Sequence, residues 1–490
     1  MTRSGIVMAA GALALAWAAA PAARAETSCA DLARTALAHA EVTSATTETL
    51  GQGQACKLEV TSRPTPDSDV RIEVWIPMGA AWNGRYVQLG NGGFAGQVPS
   101  GQIKAMAARG YAAAGTDDGH HSANGADASW ALGHREKVID FSWRALKETT
   151  TAAKTLIAAQ KGAPLGKSYF FGCSDGGREA LMEAQRFPAD FDGIVAGAPA
   201  NDMTQLFALS AAMHQALARP GGFLGPDQRA LLQSAALEKC GQGGFIPDPA
   251  ACGFDPAALQ CKPGEDPAKC LTPAQLASAE VIYGGLRDPR TGRVVYPGYS
   301  PGAEALPGSW PLWITGPSEA KRTDALMAQF SSNTFKYYAF GDPAFDILKL
   351  DLGAGLDRAR AGTSVLDSVD PNLKAFRARG GKLVQFHGWN DPAIPPRGSI
   401  VYYEQVAHTM GATDRFYRLY LVPGMLHCGG GPGPTSVDWL DVLDRWVREG
   451  QAPAAITATG AGSASQTLCP YPGVARGGQC PIPAARHRRR

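Results

Sequence analysis

This sequence is poor in charge. Asp, Glu, Lys and Arg make up only 18% of the 490 residues, and neither sign prevails: 46 basic residues stand against 44 acidic ones, a formal net charge of +2. A chain so near neutrality lacks the basic surface that neutralises a phosphate backbone, which argues against general binding to nucleic acid. No internal repeat is visible. Beyond the N-terminus no run is long and apolar enough to span a bilayer. There are nine histidines, so more than one could be mistaken for a general base. What the chain does have is 45% apolar residues, enough for a sizeable core, together with 58 Gly, 35 Pro and ten cysteines. The length allows roughly two to three domains, or one large fold carrying an insertion.

An even cysteine count means disulfides in an exported protein and metal or redox chemistry in a cytosolic one, so the compartment decides. Arg3 supplies a short positive region, Gly5 to Ala20 is an uncharged apolar run, and Ala23-Arg24-Ala25 after Pro21 is an A-x-A cleavage site. Residues 1–25 therefore read as a signal peptide, and the mature chain is expected to start at Glu26. The run is too short for a comfortable membrane anchor. Glu26-Thr27-Ser28 before Cys29 lacks the small apolar residues of a lipoprotein site. Cleavage removes Arg3 and Arg24 and no acid, leaving 44 charges of each sign. The expectation is a secreted or periplasmic protein with no membrane attachment once the signal is cleaved.

Along the mature chain, Val70 to Ile76 alternates and reads as a strand, and Arg85 to Leu89 reads as another, ending in the glycine loop Gly90 to Gly96. A helical pattern around Ile103 to Arg109 precedes a strand at Tyr111 to Gly115. A helix over Asp140 to Gln160, a strand at Ser168 to Phe171, a helix at Arg178 to Arg186 and a strand at Gly193 to Ala196 follow. Strands at Lys382 to Phe386 and Phe416 to Val422 and a helix at Val437 to Arg448 close the pattern. Alternating strands and helices predict an α/β fold with a largely parallel sheet. Between residues 202 and 369 the texture changes to Pro- and Gly-rich sequence with four cysteines between Cys240 and Cys270. Trp310, Trp313, Phe330, Phe335, Tyr337, Tyr338 and Phe340 come next. This stretch reads as an inserted lid. It splits a catalytic domain into residues 26–201 and 370–465, with a tail at 466–490 whose Arg486 to Arg490 end reads as solvated chain.

Gly172-Cys173-Ser174-Asp175-Gly176 fits G-x-S-x-G between an apolar strand and a helix, the context of an α/β-hydrolase nucleophile turn. Small residues must flank Ser174 because the turn is sharp, and the helix N-terminus aims N–H groups at developing negative charge. A serine hydroxyl needs a general base, and this fold orders the three residues Ser, acid, His. Asp391 follows the strand Lys382 to Phe386, although an Asp before Pro392 also suits a plain turn. His427 lies in the loop after the last strand, where the base belongs. Of its competitors, His387 ends a strand before the acid and could line the pocket, and His408 sits in a helical pattern as a surface residue. The N–H groups of Asp175 and of Gly92 or Gly93 are the expected oxyanion donors, with a plain glycine turn as the alternative for the loop.

Cys173 precedes the serine and Cys428 follows the histidine. This Cys-Ser … Asp … His-Cys arrangement resembles the tannase/feruloyl esterase family of α/β-hydrolases. Further matches are Trp82 to Arg85, the Gly90 to Gly96 loop, Thr116-Asp117-Asp118-Gly119-His120, Ala184 to Pro188, Asp192 to Ala200 and Gly429 to Gly433. The resemblance implies an α/β-hydrolase fold with a large lid domain, catalysis by Ser174, Asp391 and His427, and a disulfide Cys173–Cys428 tying serine to histidine. Spacing and resemblance together suggest Cys29–Cys56, Cys240–Cys252, Cys261–Cys270 and Cys469–Cys480. A zinc site is the alternative for the Cys240 to Cys270 cluster, disfavoured by export and by the wide spacings.

Two departures from the family stand out. Its members often hold a structural calcium in an Asp-rich lid loop, but here Gly241 to Asp248 has almost no carboxylate, so the site is expected to be lost. The relative that hydrolyses the terephthalate half-ester MHET grips the free carboxylate with a lid arginine. Arg322 is the nearest candidate here and lies in a polar run. The expected function is a secreted serine hydrolase of feruloyl, other hydroxycinnamoyl or galloyl esters, acting on a small molecule with no organic cofactor and no metal. The lid aromatics could stack on the acyl ring, though most are expected to form the lid's own core. The rival readings are an esterase or depolymerase for other esters (MHET, polyester, acetylated sugar) and a non-catalytic binding protein.

Overall fold

The computed structural model describes residues 26–51, 53–162 and 165–481. The expected signal peptide at residues 1–25 and the arginine-rich end lie outside them. Seven strands precede the insertion: β1 (Ala40–Leu50), β2 (Gly53–Ser62), β3 (Val70–Pro77), β4 (Arg85–Leu89), β5 (Ala112–Thr116), β6 (Lys167–Cys173) and β7 (Gly193–Gly197). The insertion holds a small hairpin, β8 (Leu286–Arg287) and β9 (Val294–Tyr296). After it come β10 (Lys382–Gly388), β11 (Tyr417–Val422) and a C-terminal hairpin, β12 (Ile456–Thr459) and β13 (Ser465–Leu468).

Nine strands form one sheet in the order β1-β2-β3-β5-β4-β6-β7-β10-β11. The steps from β5 through β11 are parallel, whereas β1, β2 and β3 join antiparallel at one edge. The sheet is therefore mixed, as an α/β-hydrolase sheet is, with its parallel part where the alternating helices predicted it. Consecutive residues of the strands face opposite ways. Val74, Ala112, Phe170, Ile194 and Leu383 pack with the helices Ala145–Lys161 and Asp175–Arg186. Their neighbours Trp75, Ala113, Tyr169, Val195 and Val384 pack with Ser100–Ala108 and Trp439–Glu449. A sheet apolar on both faces and covered by helices on both has its free chemistry only at the strand ends.

β4 lies between β5 and β6, so the chain leaves β4 toward one neighbour and returns on its other side at β6. Such a reversal opens a crevice beyond the carboxyl ends of the strands, the usual place for a ligand in this class of sheet. The loop after β4 begins at Gly90, and Ser174 follows β6 directly.

Three boundaries differ from the sequence reading. The helix expected from Asp140 begins earlier, at Arg135–Ile139, passes through a π-turn at Asp140–Arg144 and is regular again from Ala145. The helix after the nucleophile begins at Asp175, three residues before the expected start. The β1–β2 hairpin carries little hydrophobic signal, because β1 is a Thr- and Glu-rich edge strand with no fully buried residue. Residues between β7 and β10 build their own core, in which Trp310, Phe335 and Tyr338 are buried and Phe330, Tyr337 and Phe340 are partly covered. Phe94 of the glycine loop inserts into it, with edge-on contacts to Phe141, Phe207, Phe330 and Tyr338 at ring separations of 5.1 to 6.1 Å. The lid core and the loop beside Ser174 are thus one packed unit.

Candidate active site

Ser174 is the turn residue between β6 and the helix Asp175–Arg186, with φ +67° and ψ −121°, a conformation non-glycine residues rarely adopt. The surrounding backbone enforces it: Ser174 N donates to Gly197 O at 3.0 Å, and Ser174 O accepts from Ala200 N at 3.1 Å. A Cβ at position 172 would sit 2.3 Å from Gly176 O, and one at 177 would sit 2.2 Å from Gly197 O, so the glycines flanking the serine are steric requirements. The strain at Ser174 is held by fixed neighbours, as is common where a side chain must be presented outward.

Ser174 Oγ lies 2.9 Å from His427 Nε2, and His427 Nδ1 lies 2.8 Å from Asp391 Oδ2. The structure thus brings the three expected residues into one hydrogen-bonded chain. The Asp391 carboxylate is fully buried and can only accept, so His427 Nδ1 carries the proton and Nε2 is left to accept from the serine hydroxyl. Asp391 Oδ1 accepts from Ala393 N at 2.8 Å and Ile394 N at 2.9 Å. His387 Nε2 stands 3.2 Å from Asp391 Oδ2 and 3.0 Å from Ile394 O, so it too carries a proton. Ser399 Oγ donates to His387 Nδ1 at 2.7 Å and accepts from Gln385 Nε2 at 2.6 Å, which fixes that tautomer. Burial works to raise the Asp391 pKa, but the pull of His427 and the hydrogen bonds of both histidines outweigh it and hold the carboxyl well below the ordinary range. His387 is completely buried, so it braces the acid from behind and does not line the pocket as the sequence allowed. His408 is on the exposed face of the helix Pro396–Met410.

Cys173 and Cys428 are bonded, with Cα atoms 6.0 Å apart, tying the strand end before Ser174 to the residue after His427. The pairs Cys29–Cys56, Cys240–Cys252, Cys261–Cys270 and Cys469–Cys480 are bonded as well, and no free cysteine remains among the described residues.

The loop after β4 lies against the nucleophile turn. Gly93 has φ +63° and a Cβ there would meet Gly125 O at 2.4 Å, so only glycine fits. Gly176 N donates to Asn91 O at 2.8 Å and is thereby used up, whereas the N–H groups of Gly92, Gly93 and Asp175 have no acceptor among the described residues. Asn91 is clamped on all sides: its Nδ2 donates to Thr116 O at 2.9 Å and Asp118 Oδ2 at 2.8 Å, and its N donates to Glu179 Oε2 at 3.1 Å. Arg178 is fully buried and donates to both Asp175 oxygens, at 2.5 and 3.3 Å, and to the carbonyls of Phe141 and Ser142.

Ser174, His427, Gly92, Gly93 and the lid residue Trp313 open onto a cavity of about 1000 Å³. The Trp313 ring meets the His427 ring edge-on at 4.9 Å. Arg322 does not reach this cavity. It lines a separate one of about 420 Å³ with His214 and Lys336 and donates to Glu319 O at 3.2 Å. Between Cys240 and Cys252 the one carboxylate is Asp248, whose Oδ1 accepts from Ala251 N at 3.3 Å, a poor donor set for a cation that takes about six to eight oxygens. Among the described residues, Asp118, Asp175 and Glu179 alone gather acidic oxygens within 4.8 Å of one another, and Arg178 already occupies both oxygens of Asp175.

The sequence reading did not find Asn91, Glu179, Arg178, His387 as a brace, or Ser399. Thr116 to His120 stood out as a matching motif, without a role for Asp118. The available signal was position: Asn91 adjoins the glycine pair, and Arg178 and Glu179 are on the first turns after the serine.

Residues 56–478 match the family model described as tannase and feruloyl esterase. An uncharacterized esterase of Xanthomonas campestris pv. campestris is 36% identical, over 89% of this chain and 84% of its own length. Feruloyl esterase B of Aspergillus niger is 30% identical, over 85% of this chain and 82% of its own. The crystal structure of feruloyl esterase B from Aspergillus oryzae superposes with a TM-score of 0.81 at 25% identity, covering 91% of this chain and 96% of that one.

Proposed function

The chain belongs to the tannase and feruloyl esterase family, and on that premise we propose that it hydrolyses esters of aromatic acids through an acyl-enzyme on Ser174. The observation that carries the reading is the hydrogen-bonded chain Ser174–His427–Asp391 opening onto the cavity. Ser174 Oγ attacks the ester carbonyl as its proton passes to His427 Nε2, and Asp391 stabilises the imidazolium through Nδ1–H. The tetrahedral oxyanion takes the unspent N–H groups of Asp175 and of Gly92 or Gly93, each donor of this kind being worth about 2.7–4 kcal/mol in known hydrolases. His427 returns its proton to the leaving alcohol. Water then attacks the acyl-enzyme with the same base, and the acid departs.

Each step uses side chains and backbone of this chain, so no cofactor is required, and we propose that the lid holds no calcium in its Asp248 loop. Trp313 offers an aromatic wall beside the base, which favours a planar feruloyl, hydroxycinnamoyl or galloyl group. The absence of Arg322 from the cavity weighs against a substrate with a free carboxylate at the far end of its ring, as MHET has. Five disulfides fit an oxidising compartment and support the export reading. No helix among the described residues is long and apolar enough to cross a membrane. Turnover of methyl ferulate, methyl gallate, MHET and p-nitrophenyl acetate separates the substrate readings. Cleavage of methyl ferulate or methyl gallate is the expected result, and cleavage of the short acetyl ester alone would overturn the aromatic assignment.

A further inference from the structure

The carboxyls of Asp118 and Glu179 each hold Asn91 with one oxygen: Asp118 Oδ2 accepts from Asn91 Nδ2 at 2.8 Å, and Glu179 Oε2 accepts from Asn91 N at 3.1 Å. The other oxygens, Asp118 Oδ1 and Glu179 Oε1, are buried and find no donor among the described residues. One carboxyl oxygen of each lies within 4.8 Å of one of the other's. Two ionised carboxylates so close together both only accept and repel strongly at low dielectric. Both residues have essentially no solvent exposure, so water cannot screen them. One proton between the two orphaned oxygens removes both difficulties.

We infer that Asp118 and Glu179 share a single proton, and that this link holds Asn91, and through it the Gly92–Gly93 loop, where the oxyanion forms. The groups that face the pair are known from every side. Asp175 and Arg178 stand on its own helix, and Arg178 is committed to Asp175. Asp117 is the neighbour after β5. Tyr338 comes from the lid, its buried hydroxyl without a partner. Arg178 offsets one of the acidic charges and the shared proton a second. Burial, reinforced by the Asp175 charge, raises Asp118 to about 7 and lifts Glu179 well above the ordinary range. The proton is thus retained at pH values where ordinary carboxyls have lost theirs and is lost as pH rises further, leaving a buried dianion that pushes its two carboxyls, and Asn91, apart.

The inference rests on the esterase reading, and Asp118 and Glu179 act as positioning residues, since neither touches substrate. In Glu179→Gln the side-chain carbonyl can accept from Asn91 N while the amide donates to Asp118, so the proton is replaced by one that pH cannot remove. Whatever its level at pH 6, the ratio of kcat in E179Q to kcat in the wild type should rise by about tenfold or more by pH 9, the effect of one or more pH units past a single titration, with the KM ratio flat. E179A restores no donor, so its kcat at pH 6 should fall well below that of E179Q and approach the wild type's only as the wild type loses its own proton; E179A equal to E179Q at pH 6 would contradict the link. A ratio for E179Q that does not change with pH overturns the shared proton. If E179Q does not fold, D118N carries the same test. Failure of both neutral isosteres to fold would contradict the inference, because a donor is held to be in place already. A wild type without turnover would sink the esterase reading alone. The pair is then read from the melting temperature, and the advantage of E179Q over wild type must grow as pH rises.

Discussion

Asp391→Asn changes one atom at the point where four donors converge. The backbone N–H groups of Ala393 and Ile394 on Oδ1 are fixed in the turn, so the new carbonyl must stay with them. The amide NH2 then points at His427 Nδ1 and His387 Nε2, both of which carry protons in the wild type. His427 can avoid the donor–donor clash only by moving its proton to Nε2. In that tautomer it donates toward Ser174 Oγ and can no longer accept the hydroxyl proton. The same substitution in a serine protease with this geometry lowers kcat by ~10,000-fold, about 5 kcal/mol in the barrier, and a similar loss is expected here with KM nearly unchanged. His387 is left facing a donor in a fully buried site, which should cost about 1–3 kcal/mol of stability. The assay is steady-state hydrolysis of methyl ferulate, run well below a melting temperature measured on the same sample. A folded D391N with kcat within about tenfold of wild type would refute the assignment of the acid and the tautomer argument together.

Other perturbations test other parts of the site. Cys428 is exposed, so mild reductant should open its bridge to Cys173 and abolish turnover before near-UV circular dichroism changes; full activity after verified reduction would remove the bridge from the mechanism. Arg178→Met leaves the Asp175 carboxylate buried without its partner and should cost about 3–5 kcal/mol in urea unfolding; a loss under about 1 kcal/mol would mean that the pair is not the anchor of the helix after the nucleophile. Trp313→Ala removes the wall beside His427 and should lower kcat/KM for methyl ferulate by at least about tenfold, consistent with aromatic contact energies, while p-nitrophenyl acetate is affected much less. Equal losses on both substrates would show Trp313 to be a support for His427 and no part of acyl recognition.

What was legible in the sequence follows physical locality. The nucleophile turn is set by residues within five positions, and its glycines are required by contacts of 2.2–2.3 Å that any Cβ would violate, so the motif is written in the chain itself. The acid and base were legible through strand order, because a sheet of this class delivers each loop to the same edge. Strand β1 was not legible: a Thr- and Glu-rich edge strand with no fully buried residue shows little apolar alternation. Nor was the π-turn at Asp140–Arg144, whose Phe141 and Ser142 carbonyls are drawn to Arg178 by a contact distant in sequence. The Asn91 clamp drew on residues 91, 118 and 179, three segments that no local pattern connects. His387 showed the limit most plainly. Its position at a strand end next to the acid pointed toward the pocket, and only the Ser399 and Gln385 hydrogen bonds explain why it faces inward.

The mechanism stands on acylation of Ser174. Enzyme mixed with a slowly turned-over feruloyl ester, quenched in acid and digested without reduction, should yield one peptide pair joined by the Cys173–Cys428 bridge. That pair should carry a feruloyl mass increment that fragmentation assigns to Ser174, and the increment should be absent from S174A. Efficient ferulate release by wild type with no adduct on Ser174, or undiminished release by S174A, would contradict it.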